Sequence, residues 1–192
     1  MQYTSKLISA LLLLIIFASC DRQAPPNVVF VMIDDLGYKD TGAYGSDYYE
    51  TANIDRLASQ GMLFTQAYAS AANCAPSRAT FMSGLYHPRH EIYTVASSER
   101  GAAEDRKIIP TPNTETLADS IFTLAEFFQQ QGYRTAHFGK WHLGEDPRTQ
   151  GFDVNVAGGP RGNPGRDGYF SPYNVEPLAD GPEGEYLTDR LT

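Results

Sequence analysis

Residues 27–37, "NVVFVMIDDLG", decide how the rest of the chain is read. From Val28 to Ile33 every side chain is apolar and most are β-branched. A run that is apolar on both faces of an extended backbone fits a strand buried inside a parallel sheet better than a half-exposed antiparallel one. The run stops at Asp34 and Asp35 and is followed by Gly37, so both carboxylates are expected just beyond the strand's C-terminal end.

Working outward, "ETANIDRLASQG" (50–61) predicts a short amphipathic helix. Thr51 is its N-cap, Ile54, Leu57 and Ala58 share a face, and Gly61 stands where a C-terminal cap belongs. "MLFTQAYAS" (62–70) is strand-compatible through Met62 and Phe64, and "PSRATFMSGLY" (76–86) opens a helix with Pro76 in its first turn. Residues 94–112 are polar and irregular, which predicts a loop. In "TLAEFFQQQG" (123–132), Thr123 and Glu126 have capping-box spacing, Leu124, Phe127 and Phe128 are apolar, and Gly132 ends the pattern. "YRTAHFGKWHLG" (133–144) then predicts a strand ending at Gly139, with Lys140 and His142 beyond it. Residues 151–184, rich in Gly and Pro, predict a long surface excursion, and "GEYLTDRLT" (184–192) the opening of a helix. Strand and helix in alternation give an α/β fold, an open, mostly parallel sheet flanked by helices, with its chemistry outside the strands' carboxyl ends.

The 192 residues carry a net charge of −8 and no Lys/Arg-rich run. That excludes the electrostatic footprint of a nucleic-acid partner, and any anionic substrate needs a local cluster of positive charge. "MQYTSKLISALLLLIIFASC" (1–20) places Lys6 before an apolar run from Leu7 to Phe17, too short to span a bilayer comfortably, which predicts a signal peptide. Its ending resembles the lipobox of bacterial lipoproteins and predicts lipidation of Cys20, hence export and a membrane partner through a lipid anchor in the bacterial cell envelope. The alternative is an ordinary signal, which would leave the protein periplasmic or secreted. Residues 21–26 form a spacer. Only Cys20 and Cys74 exist, so a disulfide scaffold is excluded and Cys74 is left as a lone thiol.

Three clusters carry chemistry. Asp34 and Asp35 are adjacent carboxylates that a hard divalent cation would hold without forcing one to protonate, though a helix cap and a solvated turn residue would also explain them. Cys74 is by default an inert buried thiol, and Arg78, one helical turn on, is a cation that could activate it. If the segment around Trp141 is extended, Lys140 and His142 alternate with the indole and face one anion; a surface lysine and a surface histidine are the alternative.

"CAPSR" (74–78) with "ATFMSG" (79–84) resembles the Cys-x-Pro-Ser-Arg signature of the sulfatase family, the formylglycine-dependent branch of the alkaline phosphatase-like superfamily. "VVFVMIDDLGYKDTGAYG" (28–45) is similar to that family's first strand and metal-binding turn, and "GYRTAHFGKWHLG" (132–144) to its second signature. Lys39, Thr41, Ala43 and His87 differ from the commoner family residues. The resemblance implies that 27–192 is the N-terminal part of a sulfatase catalytic domain, a fragment of a longer protein whose later segments supply further Ca²⁺ ligands, a second histidine and another lysine.

The resemblance also implies roles. Cys74 would be oxidised to formylglycine by a formylglycine-generating enzyme that reads Pro76 and Ser77, and one hydroxyl of the hydrated aldehyde would attack the sulfur of a sulfate ester. The other hydroxyl would let the sulfated intermediate expel sulfate and restore the aldehyde. Asp34, Asp35 and the modified Cys74 would bind Ca²⁺, Arg78 would hold the diol side, Lys140 would contact sulfate oxygens, and His142 would stabilise or deprotonate a hydroxyl. His87 and His90 receive no catalytic role. The function implied is that of a sulfuric ester hydrolase, with a sulfated glycan as the expected substrate. Three alternatives stay open: a phosphate or phosphonate ester hydrolase of the same superfamily, a cysteine-thiol hydrolase, and a non-catalytic glycan-binding surface lipoprotein.

Overall fold

A computed structural model describes residues 24–176 and 178–191. The signal segment and Cys20 lie outside the described residues. The chain divides into two units, Met1–Ile33 and Asp34–Thr192.

In the first unit, Val28–Ile33 is assigned to no strand among the described residues, and its side chains are exposed, Val29 at 86% and Val31 at 74%. The expected buried strand is therefore corrected. A parallel strand is held by hydrogen bonds from a neighbour, and among the described residues no strand pairs with it.

The second unit contains five α-helices among its described residues: α1 Ala52–Gln60, α2 Cys74–Ser83, α3 His87–His90, α4 Leu124–Gln130 and α5 Leu187–Leu191. Two short strands, β1 Ala136–Phe138 and β2 Val154–Val156, pair in parallel with Ala136 opposite Val154 and Phe138 opposite Val156. The α/β class is thus present as a small parallel sheet with helices.

Local signals account for the helices that form. Thr123 Oγ1 accepts from the Glu126 amide at 3.2 Å while the Glu126 carboxylate accepts from the Thr123 amide at 2.7 Å, the reciprocal box that starts α4. Helix α2 ends at Gly84, whose φ of 67° closes it with an amide bond to the Thr80 carbonyl. Thr51 does occupy the N-cap of α1, but its hydroxyl serves other partners, accepting from the Gly42 amide and donating to Asp55. "MLFTQAYAS" forms no strand, and Met62 and Phe64 are exposed.

The core gathers around α2. Ala75, Ala79 and Met82, at i, i+4 and i+7, form its buried stripe and pack with Ile92, Leu117, Ala125, Trp141 and Leu143. Phe81, Val95, Ile121, Leu124 and Phe152 border this cluster. Cys74 and Arg78 occupy the adjacent stripe of the same helix, so packing of the alanine face fixes where both of them stand. The region 151–184 is more than a surface excursion: it contributes β2, and Tyr173 is fully buried with its hydroxyl on Glu185 at 2.7 Å. A Gly/Pro-rich composition leaves room for a short strand and for a single aromatic that anchors the segment.

Leu117→Ala is expected to cost about 2–5 kcal/mol of stability, because Leu117 is fully buried. Val31→Ala, at an exposed position, is expected to change it by less than about 0.5 kcal/mol. Urea unfolding followed by circular dichroism measures both, and equal effects would contradict this placement of the core.

Candidate active site

The candidate site is built on one carboxylate oxygen. Asp34, in the turn after residue 33, places Oδ2 2.8 Å from Arg78 Nη2 and 2.7 Å from Lys140 Nζ. Arg78 also donates through Nη1 to the Lys140 carbonyl at 2.5 Å. Side-chain exposures of 26%, 11% and 21% for Asp34, Arg78 and Lys140 place the three where solvent screening is reduced. Burial alone would raise the Asp34 carboxyl, but the hydrogen bonds and charges of Lys140 and Arg78 outweigh it and hold the group below the ordinary carboxylate value.

Cys74 opens α2 as a free, half-buried cysteine, one turn before Arg78. Pro76 is fully buried and Ser77 donates its hydroxyl to the Ala71 carbonyl at 2.8 Å, which ties the turn before α2 to its first residues.

The segment after β1 is not extended, and the expected alternation around Trp141 is corrected. Gly139 and His142 take φ of 83° and 63°, and the His142 amide bonds to the Gly159 carbonyl at 2.9 Å. This turn, rather than a pleat, sends Trp141 into the core while Lys140 reaches Asp34. Burial, followed by the charges of Lys140 and Arg78, lowers the His142 pKa, while Asp34 and Glu115 oppose the shift. Its Nδ1 is buried without a hydrogen-bond partner. Gly162 covers the ring so closely that a Cβ there would meet His142 Cε1 at 2.6 Å.

His90 is buried rather than a surface residue: Nδ1 accepts from the Ile92 amide at 3.1 Å and Nε2 lies 3.2 Å from Thr80 Oγ1. It holds the chain after α3. His137 is, with His142, one of the two histidines that the cysteine-hydrolase alternative could use as a base. In the structure it stands in β1, edge-on to Trp141 and Phe152 at ring separations of 5.3 Å each.

Asp34 directs both cations to Oδ2, and among the described residues neither its Oδ1 nor the exposed Asp35 takes part in an ion pair. These oxygens suit a hard dication as part of a ligand set. No group of three His, Cys, Asp or Glu side chains able to hold a metal occurs among the described residues.

The sulfatase family profile matches residues 26–192. The chain belongs to the sulfatase family. Among the relatives of this sulfatase-family chain, rat (Rattus norvegicus) N-acetylgalactosamine-6-sulfatase is 39% identical over 134 residues, 67% of this chain and 24% of that protein. A sulfatase of Formosa agariphila is 38% identical over 150 residues, 71% of this chain and 27% of that protein. The chain therefore spans about a quarter of the length of these curated relatives. Two solved structures share its fold. BT4656 in complex with its substrate D-glucosamine-2-N,6-O-disulfate is 33% identical, with a TM-score of 0.55 over 68% of this chain and 22% of that one. Ps i-CgsB in complex with k-i-k-neocarrahexaose is 26% identical, with a TM-score of 0.58 over 81% of this chain and 37% of that one.

Two half-buried groups set a pH dependence. His137 is pushed down to about 4 by burial and, secondarily, by Arg78, against an ordinary value of 6.5. The unfolded chain therefore takes up this proton first, so the contribution is complete above pH 6.5 and is lost as pH falls to about 4. The loss should be on the order of 3 kcal/mol. Asp34 acts lower: its contribution is intact above the ordinary value of 3.8 and disappears as pH falls through the depressed folded value. Urea unfolding at pH 7 and pH 4.5 should show a larger acid loss in the native chain than in His137→Phe; an equal loss in both would remove His137 as the cause.

Proposed function

We propose that the protein is a sulfuric ester hydrolase, that Cys74 works as formylglycine, and that Asp34 and Asp35 hold a Ca²⁺ ion. The observation that supports this best is the convergence of Arg78 and Lys140 on Asp34, with Arg78 one helical turn after Cys74. Formylglycine supplies a hydrated aldehyde as nucleophile, and bound Ca²⁺ supplies positive charge against sulfate oxygens.

The chain's own residues provide the remaining work. Arg78, held at one nitrogen by Asp34 and at another by the Lys140 carbonyl, presents a fixed cation to the nucleophile on the same helical stripe. Lys140 is the compact cation that can leave Asp34 for an incoming anionic ester. His142, with its pKa lowered by burial and by the two cations, is kept neutral at physiological pH and can accept or return a proton through its ring. Gly162, lying on the ring, restricts its orientation and excludes water from one face.

A sulfated glycan is the proposed substrate class, supported by the sulfated and carrageenan-type sugars of the structural neighbours. Co-expression with a formylglycine-generating enzyme should lower the mass of the peptide containing residue 74 by the thiol-to-aldehyde difference. The protein should then release the alcohol from a chromogenic aryl sulfate in preference to the matching phosphate. Cys74→Ala should lose this turnover by at least roughly 10³-fold. A thiol at residue 74 in all of the protein, or faster phosphate than sulfate turnover, would overturn the reading.

Export and lipid anchoring at Cys20 belong to the same proposal, supported by the apolar run from Leu7 to Phe17 and the small residues before Cys20. Labelled fatty acid should enter the native protein in a bacterial host and be absent from Cys20→Ala. Equal labelling of both would exclude the anchor.

A further inference from the structure

The backbone of His142 is left-handed, with φ of 63°. A side chain other than glycine persists there only when its surroundings hold it. Two contacts do so, and both come from the turn that follows β2. The His142 amide donates to the Gly159 carbonyl at 2.9 Å, and Gly162 lies so close to the ring that a Cβ there would meet Cε1 at 2.6 Å. That turn is itself held by one side chain. Asn155, in β2, accepts the Gly158 amide on Oδ1 at 2.8 Å and donates from Nδ2 to the Gly158 carbonyl at 2.9 Å. Nδ2 also donates to Asp146 Oδ1 at 3.2 Å, in the segment that follows His142. We propose that Asn155 is a positioning residue for His142, its carboxamide clamping both backbone groups of Gly158 and so fixing the turn that supports the imidazole.

The site fits one residue type. A carboxamide offers an acceptor and two protons in one plane, and each of them has a partner here. An aspartate would lack both donors. A reversed amide would set its NH₂ group against the Gly158 N–H and its oxygen against the Asp146 carboxylate, so the partners themselves dictate the orientation. Gly158 is the complementary half: it is buried, and a Cβ on it would lie 2.5 Å from Asn155 Oδ1 and 2.8 Å from His137 Nδ1. Ala157, just before it, is also left-handed at φ 66°, so the turn does not owe its shape to backbone preference. The parallel pair supplies the base of the clamp, since Asn155 stands opposite His137 in register.

Without the carboxamide, Gly158 would lose both of these bonds at the start of a glycine-rich turn. The Gly159 carbonyl would then be free to leave the His142 amide, and His142 would relax out of its left-handed conformation. A change of φ there redirects an imidazole that follows Lys140 by only one intervening residue, Trp141. The consequence for turnover rests on the proposed sulfatase chemistry; the hold on the His142 backbone does not.

The test uses the 192-residue chain labelled with ¹⁵N. In the native chain the His142 amide and the Asn155 Nδ2 proton facing the Gly158 carbonyl should exchange slowly with solvent. Fast exchange of that carboxamide proton would overturn the proposal without any variant. In Asn155→Leu, which keeps the volume but has no polar atom, the His142 amide should exchange at least roughly tenfold faster. The Asp153 amide, bonded to the Thr135 carbonyl at 2.9 Å, should keep its native rate. Equal acceleration at Asp153 and His142, or none at His142, would overturn the proposal.

In active, formylglycine-bearing protein, Asn155→Leu should lower kcat roughly tenfold with KM within about twofold. In a His142→Ala background the same substitution should cost less than about twofold, because a residue that acts through His142 then has nothing left to position. An unchanged kcat in Asn155→Leu, or an equal loss in both backgrounds, would overturn the proposal. No turnover by the native protein would count against the sulfatase reading, and the exchange measurement would still decide the role of Asn155.

Discussion

One oxygen atom, Asp34 Oδ2, accepts from two cations that come from distant parts of the chain. Arg78 lies 44 residues beyond Asp34, and Lys140 lies a further 62 residues on. Bringing a guanidinium and an ammonium together out of full solvent costs free energy unless a negative charge stands between them, and this carboxylate supplies it. The turn at Asp34, the first turns of α2 and the turn after β1 are tied to each other by this pairing and by the Arg78 bond to the Lys140 carbonyl. The chain is acidic overall, yet this point has two positive groups for one carboxylate, a local excess of positive charge.

The hydrophobic core is the mechanical complement of that polar cluster. Ala75, Ala79 and Met82 bury one stripe of α2, and the stripe beside it carries Cys74 and Arg78. Small residues on the buried stripe let the helix approach its neighbours, so the stripe that carries Cys74 and Arg78 takes a fixed position. At the other end, Trp141 is buried between Lys140 and His142. The two polar side chains are thus positioned by the apolar one between them.

What was legible in the sequence was what depends on a few neighbouring residues. The capping box of Thr123 and Glu126, the early Pro76 with Gly84 at the end of α2, and the short strand before Gly139 all appear where their local signals place them. The meeting of Asp34, Arg78 and Lys140 was anticipated only through the motif resemblance, since no spacing rule links positions so far apart. Val28–Ile33 has the side chains of a buried strand, but a ladder requires a neighbour, and side-chain pattern cannot supply one. The role of Trp141 was misjudged because positive φ at Gly139 and His142 breaks the period of two on which the alternation argument rests.

Trp141 is the single tryptophan of the chain, 3% exposed and edge-on to His137. The indole is therefore an optical reporter of this site rather than of the molecule at large. Its emission should be blue-shifted while the site is closed, sensitive to the charge state of the imidazole beside it, and red-shifted when water reaches the turn that carries Lys140 and His142. A spectroscopist following tryptophan emission in this chain is observing the surroundings of Lys140 and His142 directly, with no label attached.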